Sequence, residues 1–209
     1  MKPDCVIPAA GTSSRMGRWK LVLPYRGSTI IEKSIDAALE ECGRVIVVTG
    51  HRAEELETFL GRYSPPSGIG ERFREVSKTR ESGPVITVRH PDYEQGMFSS
   101  IQKGAALVQS PLFFIALGDM PAVPAEVYRQ LLTCMRSDPE TEIVRPVYRG
   151  RPGHPVLLRK TCTKTILETA ASGAMAMVLK RHTVKELEVS SPGAVIDFDT
   201  PEAYQDQEQ

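Results

Sequence analysis

The residues best suited to chemistry in this chain follow its short apolar runs. After the first run comes Pro8-Ala9-Ala10-Gly11-Thr12-Ser13-Ser14-Arg15-Met16-Gly17, and then Lys20. Small side chains let backbone N–H groups approach a ligand closely, and consecutive amides form a concavity suited to phosphate. Arg15 and Lys20 would add positive charge against a triphosphate. The spacing is not that of a P-loop, because Gly17 leads into Arg18-Trp19-Lys20, and it is not GxGxxG. Composition alone leaves a purely structural turn equally open. A later run ends in Gly118-Asp119-Met120-Pro121. A carboxylate at the carboxyl end of a central strand faces the ligand crevice, where it could hold Mg²⁺ or simply cap the next turn. Near the end, Asp197-Phe198-Asp199-Thr200-Pro201-Glu202 puts two carboxylates on one face of an extended segment. A second carboxylate near Asp119 would complete a metal site. Asp199 or Thr200 could also cap a helix starting at Pro201.

The elements that must position these residues alternate. Apolar, β-branched runs at 5–8, 45–49, 85–89 and 112–117 read as buried strands. Helical stretches at 29–41, 53–60, 98–108 and 124–135 lie between or after them, with Ser28 able to cap the first and Pro124 placed at the start of the last. This order predicts an α/β fold: one domain with a doubly wound, mostly parallel sheet and ligands at the strands' carboxyl ends. Further strands are expected at 142–148 and 155–158, bracketing the turn 149–154, and at 184–189 and 195–198. Helices are expected at 160–169, 174–180 and 201–204, with a loose tail at 205–209. The stretch 61–83, crowded with Gly, Pro, Ser and alternating charge, reads as a surface excursion.

Composition excludes several classes. Lys plus Arg (26) balances Asp plus Glu (26), so the basic footprint of a nucleic-acid partner is missing. No segment reaches the roughly 18 apolar residues of a membrane span, and no signal-peptide stretch opens the chain, so a cytoplasmic location without membrane contact is expected. Cys5, Cys42, Cys134 and Cys162 lie far apart with no CxxC pair, which predicts reduced thiols in or near the core and no zinc site.

Taken in order, the motifs resemble a known family. Ala9-Ala10-Gly11-x-Ser13-Ser14-Arg15-Met16-Gly17-x-x-Lys20-x-x-Leu23-Pro24 is similar to the signature of nucleotidyltransferases related to the molybdenum cofactor cytidylyltransferases. Gln95-Gly96-Met97-Phe98-Ser99-Ser100-Ile101, Gly118-Asp119-Met120-Pro121, Arg145-Pro146-Val147-Tyr148-x-Gly150-x-x-Gly153-His154-Pro155 and Asp197-x-Asp199-Thr200-Pro201-Glu202 follow in sequence, so the resemblance covers nearly the entire chain.

The resemblance implies a Rossmann-like, nucleotide-diphospho-sugar transferase (GT-A-like) fold. It implies that Ala9, Ala10, Gly11, Thr12, Ser13, Ser14 and Gly17 bind the nucleotide, with Arg15 and Lys20 on its triphosphate. Ala10, where guanylyl-transferring relatives often carry glycine, implies CTP rather than GTP. Asp119 and Asp199 would hold Mg²⁺, and Gly96, Ser99 and Ser100 would lie where nucleotide or acceptor passes. Gly153, His154 and Pro155 would line the acceptor side, His154 acting as a base or as a structural hydrogen-bonding group. The acceptor so implied is molybdopterin, and the excursion at 61–83 could dock a molybdoenzyme. Pro8, Tyr93-Glu94 and the length of the excursion depart from the pattern, and they bear on the acceptor more than on the reaction. The rivals are a cytidylyltransferase for a sugar or polyol phosphate such as methylerythritol phosphate, a guanylyltransferase of the molybdenum cofactor, and a non-catalytic cofactor-binding chaperone.

Overall fold

The structure is a computed structural model that describes residues 1–12, 19–64, 83–200 and 203–204. Its first half runs β1 (Asp4–Ala9), β2 (Pro24–Tyr25), β3 (Ser28–Thr29), α1 (Ile30–Glu41), β4 (Arg44–Thr49), α2 (Ala53–Leu60), β5 (Val85–Arg89) and α3 (Met97–Ala105). The second half runs β6 (Leu112–Ile115), α4 (Ala125–Ser137), β7 (Ile143–Tyr148), β8 (Arg151–Pro152), β9 (Val156–Arg159), α5 (Cys162–Glu168), α6 (Met175–Leu179) and β10 (Val184–Glu188).

The large sheet has the order β10-β7-β9-β6-β1-β4-β5, with β8 hydrogen-bonded to β7. β1 pairs in parallel with β4 and β6, and β4 with β5. The chain winds outward from β1 to β4 to β5 and then returns to β6 on the other side of β1. A doubly wound sheet opens its ligand crevice at such a reversal, outside the carboxyl ends of the strands. Here that point lies between β1 and β6, where the two expected chemical turns begin.

Side-chain alternation explains the layers. Cys5, Ile7 and Ala9 of β1 face one cluster with Ile35 and Leu39 of α1 and Tyr128 and Leu131 of α4. Val6 faces the opposite cluster with Phe98 and Ile101 of α3 and Ile166 of α5. Both faces of β1 are therefore dry, which accounts for its apolar run without a polar alternation.

Several expectations shift. α1 is capped by Thr29, not Ser28: Thr29 Oγ1 accepts from the Glu32 amide, and Glu32 Oε2 accepts from the Thr29 amide at 3.0 Å. β9 runs antiparallel between β6 and β7, a direction that apolar patterning does not encode. Arg149 and Gly150, with φ of 50° and 76°, form the tight hairpin turn that joins β7 to β8, so the expected 149–154 turn is shorter and leads into a strand. Residues 195–198 are not a strand: a 3-10 turn (Pro192–Val195) leads into extended chain outside the sheet. The helix expected at 201–204 and the excursion at 61–83 fall largely, and the tail at 205–209 wholly, outside the described residues.

At the end opposite the crevice, Asp4 fastens the sheet. Its carboxylate accepts from Arg44 Nη2 at 2.9 Å and from the amides of Gln109 and Ser110 at 2.7 and 3.2 Å. Burial alone would raise its pKa, but Arg44 and these amides outweigh burial and hold it below the usual value. A carboxyl depressed in the folded state adds stability above its unfolded pKa of about 4 and loses it as pH falls through the folded value. Asp4→Asn is therefore expected to lower stability by about 2–3 kcal/mol at neutral pH. In urea denaturation, the gap between variant and wild type should close on acidification.

Candidate nucleotide-binding site

A cleft of about 630 Å³ opens at the switch between β1 and β6. Its floor is the end of β1 and the turn after it, Pro8 to Thr12. One wall is Leu117, Gly118 and Asp119, and the other is Tyr93, Glu94, Gly96, Met97 and Ser100. Lys20, Asp197 and Asp199 close one side.

The charged centre is built from distant segments. Lys20 begins a 3-10 turn (Lys20–Val22) whose next residue, Leu21, is buried in the core and so fixes the side-chain direction. Lys20 Nζ lies 2.5 Å from Asp119 Oδ2 and also donates to Asp199 Oδ1. The Phe198 amide donates to the Asp119 carbonyl at 3.0 Å, which pins the Asp197–Asp199 segment across the end of β6. Phe198 turns the other way, its ring edge-on to Tyr25 at 5.1 Å and buried with Ile30 and Tyr204. Alternation about Phe198 thus leaves Asp197 and Asp199 facing the cleft without any strand ladder. Burial would lower the pKa of Lys20, but the carboxylates of Asp119 and Asp199 outweigh it and hold the ammonium above its ordinary value. Oxygen donors already converging on a cation are the kind of set that suits a hard divalent ion.

Of the residues singled out from sequence, Ala9, Ala10, Gly11, Thr12, Lys20, Gly96, Ser100, Asp119 and Asp199 line this cleft together. Ser13, Ser14, Arg15 and Gly17 lie outside the described residues. Ser99 sits behind the wall: its hydroxyl donates to the Gly96 carbonyl at 2.7 Å. Gly153, His154 and Pro155 are not among the described lining residues. A Cβ on Gly153 would come within 2.0 Å of the Ala194 carbonyl oxygen, and the His154 amide donates to that same oxygen at 2.8 Å. His154 Nδ1 is 3.5 Å from the Ile115 carbonyl oxygen, and burial pushes the imidazole pKa down. The ring is therefore neutral near physiological pH.

Sequence reasoning missed two contacts near the cleft. Arg52 lies over the ring of Trp19, the residue before Lys20, at 4.5 Å. His90, just past the end of β5, places Nε2 2.9 Å from Ser99 Oγ. Because the Ser99 hydroxyl proton goes to Gly96, His90 must supply the other proton, which fixes the Nε2–H tautomer. The relay holds Gly96 at a φ of 103°, where α3 begins and the cleft wall turns. His90→Ala should raise KM for the nucleotide roughly tenfold, about one hydrogen bond's worth, with little change in kcat. His90→Gln, which keeps a donor, should recover most of it; steady-state kinetics on both variants makes the comparison.

Residues 5–187 match the MobA-like NTP transferase domain. The chain belongs to the MobA-like NTP transferase family. It is 33% identical over 201 residues to the molybdenum cofactor cytidylyltransferase of Escherichia coli K12, covering 96% of this chain and 93% of that one. It is 26% identical to nicotine blue oxidoreductase of Paenarthrobacter nicotinovorans (94% and 92% covered). A probable molybdenum cofactor guanylyltransferase of Trichormus variabilis is 23% identical (94% and 86% covered). Among solved structures, Rv0371c of Mycobacterium tuberculosis in complex with manganese superposes with a TM-score of 0.72 at 21% identity, covering 100% and 98% of the two chains. The chain is a nucleotidyltransferase with the expected α/β fold. Among its described residues no helix is long and apolar enough to cross a membrane.

Proposed function

We propose that the transferase moves CMP from CTP to the terminal phosphate of molybdopterin and releases pyrophosphate, in the cytoplasm. The observation that carries this reading is the convergence of Lys20, Asp119 and Asp199 on one point of the cleft, above the small-residue turn Ala9–Thr12. The identity with the E. coli cytidylyltransferase supports the nucleotide and the acceptor.

In this reading an acceptor phosphate oxygen attacks the α-phosphorus of CTP in line. The bond to the bridging oxygen breaks, and pyrophosphate leaves with its electrons. The attacking phosphate is largely ionised near neutral pH, so no strong base is needed. That fits a neutral, buried His154 serving to shape the acceptor side with Gly153 and Pro155. Lys20, with Arg15, would neutralise charge on the triphosphate and the departing pyrophosphate, and the amides of Gly11 and Thr12 would receive phosphate oxygens. Asp119 and Asp199 would hold Mg²⁺, which when bound would offset charge on the α-phosphate oxygens. The Mycobacterium protein, which shares the fold, was solved in complex with manganese, and this supports a divalent ion in the present reading. Gly96 and Ser100 would face the nucleoside.

For the base, Ala10 is 5% exposed, and a Cβ on the neighbouring Gly50 would come within 2.6 Å of its methyl. The methyl is thus packed against Gly50, and the preference for CTP rests on alanine standing where guanylyl-transferring relatives often carry glycine and on the E. coli cytidylyltransferase. Trp19, the single tryptophan, adjoins Lys20 and reports on the site. Titrating its fluorescence with CTP, GTP, ATP and UTP should give the tightest binding for CTP, by at least about tenfold over GTP. Equal affinities or a preference for GTP would overturn the base assignment. A molybdoenzyme docking near the 61–83 excursion belongs to the same reading.

A further inference from the structure

Away from the cleft, the fold gathers Glu142, Cys162 and His182 from three segments: one residue before β7, the first of α5, and the stretch before β10. One donor atom from each lies within 4.8 Å of the others. His182 Nδ1 is 2.9 Å from Glu142 Oε1 and 3.7 Å from Cys162 Sγ. A tetrahedral zinc-class ion, about 2.3 Å from sulfur and about 2.0–2.2 Å from nitrogen and oxygen, sets its ligand atoms roughly 3.3–3.7 Å apart. The sulfur–nitrogen spacing of 3.7 Å already fits, the nitrogen–oxygen pair at 2.9 Å must open slightly, and the sulfur–oxygen pair lies within 4.8 Å, so binding closes it to the tetrahedral range.

The groups behind these donors are also in place. Thr165 Oγ1 lies 2.8 Å from His182 Nε2, and the Thr183 amide donates to Glu142 Oε2 at 3.0 Å. Such outer contacts are what hold a ligating imidazole and carboxylate in orientation. The His182 side chain is 9% exposed and that of Glu142 33%, so an ion has a path in from the Glu142 side.

We propose that Glu142, Cys162 and His182 form a site for a thiolate-seeking divalent cation of the zinc class, separate from the nucleotide cleft. Without an ion the trio satisfies itself by hydrogen bonds, and burial, helped by Glu142, pushes the Cys162 thiol up to about 11. On binding, the S–H bond breaks, its proton goes to solvent and a sulfur–metal bond forms. The His182 proton moves from Nδ1 to Nε2 and donates to Thr165, a change a hydroxyl accommodates. One proton leaves per ion, with no change of oxidation state. Asp119 and Asp199 offer only oxygen, so sulfur distinguishes the two sites.

The test is a Co²⁺ titration of the chelator-treated full chain, following the near-ultraviolet thiolate-to-cobalt band. One equivalent should develop the band and Zn²⁺ should abolish it. Cys162→Ser should lack it, Cys134→Ser should keep it, and Thr165→Val should weaken Co²⁺ binding about 10- to 100-fold. No band in the wild-type chain at metal excess, or a band that survives Cys162→Ser, would overturn the proposal.

Discussion

Lys20→Met is expected to lower turnover by about 10²- to 10³-fold, the effect of removing one preorganised charge stabiliser. The Lys20 side chain is 12% exposed and its ammonium is joined to both Asp119 and Asp199, so it is already oriented before any nucleotide arrives. In the proposed mechanism it would need no reorganisation as charge moves onto the leaving pyrophosphate. The same variant should bind divalent cations more tightly without nucleotide, because the group holding the two carboxylates together is gone and a metal can take its part. Pyrophosphate release and a metal-dependent thermal shift should therefore move in opposite directions. Unchanged turnover would remove Lys20 from the chemistry.

Asp119→Asn should cost at least as much, on the order of 10³-fold, since in the proposed mechanism this carboxylate would hold Mg²⁺ and its loss would forfeit several kcal/mol of charge stabilisation. Its oxygen meets Lys20 in the same centre as that of Asp199, and the Asp119 backbone anchors the Phe198 amide. Asparagine keeps the carbonyl anchor and nearly the shape, so a loss of activity would be electrostatic rather than a collapse of the wall. Residues acting as one unit are not additive. The double variant Asp119→Asn/Asp199→Asn should thus be little worse than Asp119→Asn alone in steady-state assays. Losses that multiplied would mean the two carboxylates work independently.

Much of this arrangement was legible in the residues. Dry strands such as β1 announced themselves by unbroken apolar runs, and the functional turns follow the strands because a parallel sheet opens only at its carboxyl ends. What was not legible depends on contacts between distant segments. The alternation at 195–198 is real, but the segment has no strand beside it, so Ile196 and Phe198 pack on a small cluster while the aspartates meet the cleft. The direction of β9 is fixed by its partners, β6 and β7, and apolar period carries no direction. The His90 relay depends on a serine in the next helix and a backbone carbonyl, and no spacing rule marks it. Likewise Cys162 and His182 look unrelated along the chain, yet α5 and the approach to β10 bring them together with Glu142; the four cysteines, read as reduced thiols in or near the core, are free, and three of them are buried.

The most direct measurement is pyrophosphate release from the purified transferase with Mg²⁺, molybdenum-loaded molybdopterin and each of CTP, GTP, ATP and UTP in turn. Release with CTP alone, and only when the pterin is present, is the predicted result. Release with GTP but not CTP, or CTP-dependent release that ignores the pterin, would contradict it.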